Sequence, residues 1–142
     1  LLGGLVLLVI VVGAATLANR ARRGTPLDGL RRGDCFNLTD GLFGQKAERV
    51  RCSAGHTDEV AGVLLLPGGR GAGYPGSAGI LELGQRSCPA QVTEFYGSKP
   101  PAAAETFVSG PDRAAWKGGR RSVVCSLRQP SAARRTGSYR DG

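Results

Sequence analysis

Residues 1–18, LLGGLVLLVIVVGAATLA, carry no charge and show no polar stripe. A membrane-spanning helix takes about 20 apolar residues, with ~17 at the short end. The pattern therefore predicts a transmembrane helix, a signal anchor, over residues 1–18. A cleaved signal peptide is the rival reading, with small residues at Ala14–Ala18 as the processing site. Met is absent throughout the chain, so the segment is expected to begin inside a longer protein. A basic, Pro- and Gly-containing linker follows over residues 19–32.

From Gly33 the pattern breaks into short runs. Gly33-Asp34-Cys35-Phe36 reads as a turn into a short strand, and residues 37–45 as a loop. Arg49 to Cys52 alternates charged and apolar residues, which puts Val50 and Cys52 on one strand face. Ser53 to Asp58 reads as a turn. Glu59 to Leu66 is rich in Val and Leu and reads as a more buried strand. Thr106 to Val108 and Arg121 to Leu127 complete the strand set. In the last of these, Val123, Cys125 and Leu127 share a face.

Between the strand runs lies one helical stretch, Ser77 to Gly97, with Ser77 as its cap. Leu81, Cys88, Val92 and Phe95 recur at helical steps and define its expected inner face. A break is expected near Cys88-Pro89, because proline removes a backbone donor. Strands on both sides of one helix predict an α+β fold: a small antiparallel sheet with one main helix packed across a face. The folded domain is expected over residues 33–127, with a disordered basic tail over 128–142.

Charge changes the picture only once it is located. The net charge is +8. Residues 19–32 hold five Arg and one Asp, and residues 128–142 hold four Arg and one Asp. The stretch between is almost neutral, with ten basic and nine acidic side chains. The excess sits in the flanks, which excludes a basic nucleic-acid-binding domain and suits anionic lipid headgroups.

The four cysteines, Cys35, Cys52, Cys88 and Cys125, are widely spaced and form no C-x-x-C pair. Zinc sites present ligands in close pairs. Only Cys52 and His56 have such a spacing, so no metal and no cofactor are expected. An even count beside a membrane segment points to two disulfides and an outer compartment. Three connectivities are open, and the strand and helix positions favour Cys35–Cys52 and Cys88–Cys125. Against this stands the cluster Arg20, Arg22 and Arg23, since the positive-inside rule would put that side in the cytoplasm.

Candidate chemistry is sparse. His56 is the only histidine, and Asp58 and Glu59 follow it. An acid/base role would need a second partner, and none is identifiable. The Gly-rich run from Pro67 to Gly76 lacks the Lys-Ser/Thr of a phosphate loop and reads as a flexible hairpin loop. Trp116 with Arg113, Lys117, Arg120 and Arg121 would suit a cation–aromatic surface for an anionic ligand, and a Trp packed on the core with solvated Arg around it is the favoured reading.

Several of these pieces, taken in order, resemble the septum-formation domain family of actinobacterial membrane proteins. They are Gly33-Asp34-Cys35-Phe36, Val50-Arg51-Cys52-Ser53 with His56 and Glu59-Val60, and Tyr74-Pro75-Gly76. Cys88 before Phe95-Tyr96 follows, then Trp116 leading to Gly119-Arg120 and Val124-Cys125-Ser126-Leu127. Gly55 stands where the family pattern has Pro before the His. The acidic residue between the Gly and Arg after the Trp is also missing. The resemblance implies a membrane-anchored extracytoplasmic domain associated with cell division, without an established enzymatic activity.

The combined expectation is a non-enzymatic interaction domain of the cell envelope. It would bind an envelope protein or an anionic wall component through an exposed face carrying His56, Glu59, Trp116 and Arg120. An envelope enzyme using His56 as acid/base is the alternative.

Overall fold

The computed structural model describes residues 25–39, 46–69, 71–97 and 104–141. The expected anchor at 1–18 and the Arg20–Arg23 cluster lie outside the described residues. Among the described residues, no helix is long and apolar enough to cross a membrane.

Among the described residues, six strands form one antiparallel sheet. They are β1 (Thr25–Pro26), β2 (Cys35–Leu38), β3 (Lys46–Val50), β4 (Asp58–Leu65), β5 (Glu105–Ser109) and β6 (Ser122–Arg128). Their spatial order is β1-β3-β2-β4-β6-β5. Helix α1 (Gly76–Tyr96) crosses one face, and the short helix α2 (Arg113–Lys117) precedes β6. This is the expected α+β layer of antiparallel sheet and one main helix.

Alternation along the central strands divides the side chains between two faces. Leu64, Val123, Cys125 and Leu127 point towards α1, while Val60, Val63, Val124 and Ser126 point away. The register shifts between Val60 and Gly62. This bulge keeps the apolar set of β4 on the right faces, since a one-residue slip would invert them. The outer face is covered by Leu27 and Leu30, which pack on Phe36, Val60 and Val124. The sequence reading assigned residues 19–32 to a linker. The structure corrects that boundary, because Thr25–Pro26 pair with β3 and Leu27 and Leu30 are core residues.

The outer face also holds a buried ion pair. Asp58 accepts from Arg128 Nε at 3.0 Å and Nη2 at 2.8 Å, from Ser126 Oγ at 3.0 Å and from Thr57 Oγ1 at 2.6 Å. Its carboxylate is fully buried, and the Arg128 side chain is 15% exposed. The Arg128 guanidinium lies 3.6 Å over the Phe107 ring.

Helix α1 matches the predicted span to within a residue at each end and the predicted face in part, since Cys88 and Val92 are buried and Phe95 packs on the core. Its buried positions are Ile80, Gly84, Cys88 and Val92, a clean i, i+4 row, whereas Leu81 is 41% exposed. Ser77 does not cap it; Pro75 stands at the N-cap without a side-chain bond. The helix also continues through Pro89. Cys88 and Val92 on either side of the proline are buried against the sheet, so packing and the disulfide hold both halves in line.

Gly84 sets how closely α1 approaches. A Cβ there would run into the Val108 side chain of β5. Overpacking of this kind costs about 1–3 kcal/mol. Gly84→Ala is therefore expected to lower the unfolding free energy by that amount, read as a lower urea midpoint. An unchanged midpoint would show that the helix can move away at no cost.

Both favoured disulfides are present, and no cysteine among the described residues is free. Cys35–Cys52 ties β2 to the turn after β3, and Cys88–Cys125 ties α1 to β6. Cys52 lies in that turn, because β3 ends at Val50. It is not the continuation of a strand, as the alternation had suggested.

The largest departure is at the C-terminus. Residues 128–142 were expected to be a disordered tail. Arg128 instead ends β6, and residues 130–141 return as an arm over the turn at Cys52–Thr57. Tyr139 is buried with Ala61, Val92 and Leu127. The arm carries little apolar surface, so hydrophobicity gives no sign of it. Main-chain bonds hold it.

Candidate functional site

His56 sits in the turn between β3 and β4, and the C-terminal arm closes over it. Its backbone N–H and C=O both pair with Arg135 at 2.9 Å. The ring is fully buried. Nδ1 lies 2.9 Å from the Ala54 carbonyl, which only accepts, so Nδ1 carries a proton. Nε2 has no hydrogen-bond partner among the described residues.

Glu59 is buried beside it, on the α1 face of β4. Its carboxylate accepts from Ser138 Oγ at 2.6 Å and from the Tyr139 backbone N–H at 2.7 Å. Gly137 N–H donates to the Cys52 carbonyl at 2.7 Å. Arg135 stacks 3.8 Å over the Tyr139 ring, and Tyr96 meets Tyr139 edge-on at 6.3 Å. Burial pushes the Tyr96 phenol well above its ordinary range; Glu59 and Tyr139 push the same way, against Arg135 and Arg140.

This cluster is the arm's seal. One sulfur, one ring nitrogen and one carboxylate oxygen of Cys35, His56 and Glu59 lie within 4.8 Å of one another. Cys35 is committed to its disulfide, and Glu59 already accepts from the arm. Only His56 Nε2 is left open as a donor, too few for a metal ion. Glu59→Gln keeps the side chain's shape but leaves one arm donor facing an amide. The expected cost is about 1–3 kcal/mol, with faster amide hydrogen exchange at Tyr139 than in β6. Equal protection at both places would show that the arm does not depend on Glu59.

Trp116 lies elsewhere. His56 stands two residues before β4, whereas Trp116 packs on Leu66, the residue after it. Eight strand residues at about 3.3 Å each put the two roughly 25 Å apart. The Trp116 ring is buried with Ile80, Cys88, Val108 and Val123, and Nε1–H donates to the Ala72 carbonyl at 2.8 Å. The Asp112 side chain caps α2 by accepting from Ala115 N–H at 2.7 Å. Arg120 is half-buried and lines a small groove with Leu27, Pro111 and Ser122. The structure thus corrects the expectation of one exposed face around His56, Glu59, Trp116 and Arg120. Three of the four are buried, and they belong to opposite ends of the sheet.

Solvent instead reaches a cleft at the Trp116 end. Gly68, Gly69, Lys117, Gly118, Gly119 and Arg121 line about 670 Å³ of space. Arg121 forms the wall between cleft and core. Its guanidinium lies 3.6 Å over the Trp116 ring. Nη1 donates to the Trp116 and Arg120 carbonyls at 2.7 and 2.8 Å, and Nη2 to the Gly69 carbonyl at 3.3 Å. Sequence reasoning picked out the Arg residues around Trp116 but took the facing Gly-rich run as a loop without a role. The available signal was two Gly-Gly pairs, Gly68-Gly69 and Gly118-Gly119, each beside cationic residues.

A family model described as Septum formation matches residues 32–141. The chain belongs to the septum formation family. The match begins one residue before the expected domain start and runs through the C-terminal arm. The arm is therefore part of the family's domain and not an appendage to it. No curated protein and no solved structure matches the chain. Family membership ties the chain to septum formation, and the resemblance noted in the sequence is thereby confirmed.

Proposed function

We propose that this septum formation domain is held at the membrane by residues 1–18 and works on the extracytoplasmic side. It would act by binding an envelope protein or an anionic wall component, and not by catalysis. The observation that carries this reading is the burial pattern: the sole histidine is sealed under the C-terminal arm, while the open cleft has no general base among its described lining residues. An acid/base catalyst must reach its substrate within hydrogen-bond distance or through one water. Here the ring has no exposed surface. The two disulfides support the outer compartment, where such bonds persist.

The test separates chemistry from binding. His56→Gln, shown to be folded by its thermal transition, is expected to restore septum formation in a strain lacking the gene. A folded His56→Gln protein that fails to do so would overturn the non-catalytic reading. Thiol titration of native membranes tests the compartment. No reactive thiol is expected before reduction, and four would move the domain to the reducing side.

A further inference from the structure

We propose that the cleft between Gly68-Gly69 and Lys117–Gly119 is a binding site for a phosphate-bearing polyanion. The inference rests on the reading of this protein as a binding domain and names the ligand class of its open cleft.

The charge of the cleft has one sign. Among the described residues, its lining holds Lys117 and Arg121 and no acidic side chain. A concave site with cations of one sign focuses the field on an entering anion. The two cations play different parts. Arg121 is fixed by three carbonyl acceptors and by stacking on Trp116, so no side-chain ordering is needed when a ligand arrives. Lys117 is exposed at the end of α2 and free to follow the ligand.

Four of the six described lining residues are glycine, and packing does not demand them all. A Cβ at Gly69 would meet no atom within 4 Å, and its φ lies outside the left-handed range. Any side chain would fit there, but it would occupy the cleft. Glycine at this position keeps the space open. Gly68 and Gly119 have φ of 110° and 91°. The N–H groups of Gly118 and Gly119 are spent on the Ala114 and Trp116 carbonyls, so the two cations and not the backbone supply the attraction. The volume of about 670 Å³ falls within the range of ligand pockets, roughly 300–1,000 Å³. It accommodates several linked phosphates more readily than one.

The protein carries its own reporter. Trp116 is the only tryptophan in the chain, and the Arg121 guanidinium separates it from the cleft. The full chain in phosphatidylcholine vesicles, titrated with inorganic triphosphate at low salt, is expected to show a saturable change in tryptophan emission. Lys117→Glu and Gly69→Asp, each placing a carboxylate at the cleft, are expected to weaken the apparent affinity at least tenfold. A parallel arm replaces part of the phosphatidylcholine with phosphatidylglycerol and omits triphosphate. A Lys117-dependent signal there assigns the phosphate to a lipid headgroup. A signal with triphosphate alone assigns it to a soluble or wall-borne polymer. Flat emission in both arms, or equal affinity in folded variants, overturns the proposal. If it falls while His56→Gln still restores septum formation, only the ligand class is lost and the non-catalytic reading stands.

Discussion

Replacing Asp58 with Asn lowers the stability of the domain by about 3–5 kcal/mol, the cost of removing one partner of a buried ion pair. For a domain of this size, that corresponds to a fall of roughly 10–20 °C in the melting temperature. The size of the effect follows from the surroundings. Asp58 is the hub for Arg128, Ser126 and Thr57. Arg128 is pinned by it against Phe107 and has only a narrow outlet to solvent. Without the carboxylate, the guanidinium is left largely desolvated and unpaired. Arg128→Met in the Asp58→Asn background is expected to recover part of the loss, because the orphaned charge is then gone. Chemical denaturation of the four members of this cycle measures the coupling. Additive single losses would show that the pair contributes no more than its separate packing contacts.

The second large effect concerns the inner disulfide. Cys88→Ala with Cys125→Ala opens a loop spanning 37 residues, worth about 4 kcal/mol in the chain-entropy account. Both sulfurs lie in the core with Ile80, Val108 and Val123, so their loss also removes packing. Cys35–Cys52 closes a shorter span of 17 residues, worth about 3 kcal/mol by the same argument. The order of effects is therefore expected to be inner bridge first. Urea midpoints of the two double-alanine variants check it. A larger loss for the Cys35/Cys52 variant would mean that the turn beneath the arm matters more than the helix–sheet clamp.

The strands were legible as short β-branched, apolar runs between turn residues, although β6 and most of β4 are buried on both faces. Val123, Cys125 and Leu127 stand at steps of two, and β6 lies where that alternation puts it. Helix α1 was legible in extent and its inner face in part, with Cys88 and Val92 placed correctly and Leu81 not. Gly84 contributes no hydrophobicity, although it is buried and a Cβ there would collide with Val108. A periodicity argument weighted by side-chain size passes over such a residue and selects Leu81 in its place. The arm was invisible for a different reason. Arg134, Arg135 and Arg140 make it look solvated, while its attachment runs through backbone groups at His56 and Cys52 and through Glu59. The site suffered from the same blindness. Histidine and tryptophan attract attention as chemistry, but here they are interior residues. The cleft is built from glycine pairs and one fixed arginine, which carry almost no signal one residue at a time.

The arm also sets an order of events. Asp58 and Glu59 are neighbours in the chain, yet their partners lie some 70 and 80 residues further on, at Arg128 and at Ser138–Tyr139. A chain made or threaded from its N-terminus presents β4 long before those partners arrive. Two carboxylates that end up buried have no partners until residues 128–139 appear, so closure of the core around them waits for that segment. Residues 130–141 then act as the latch over the start of β4.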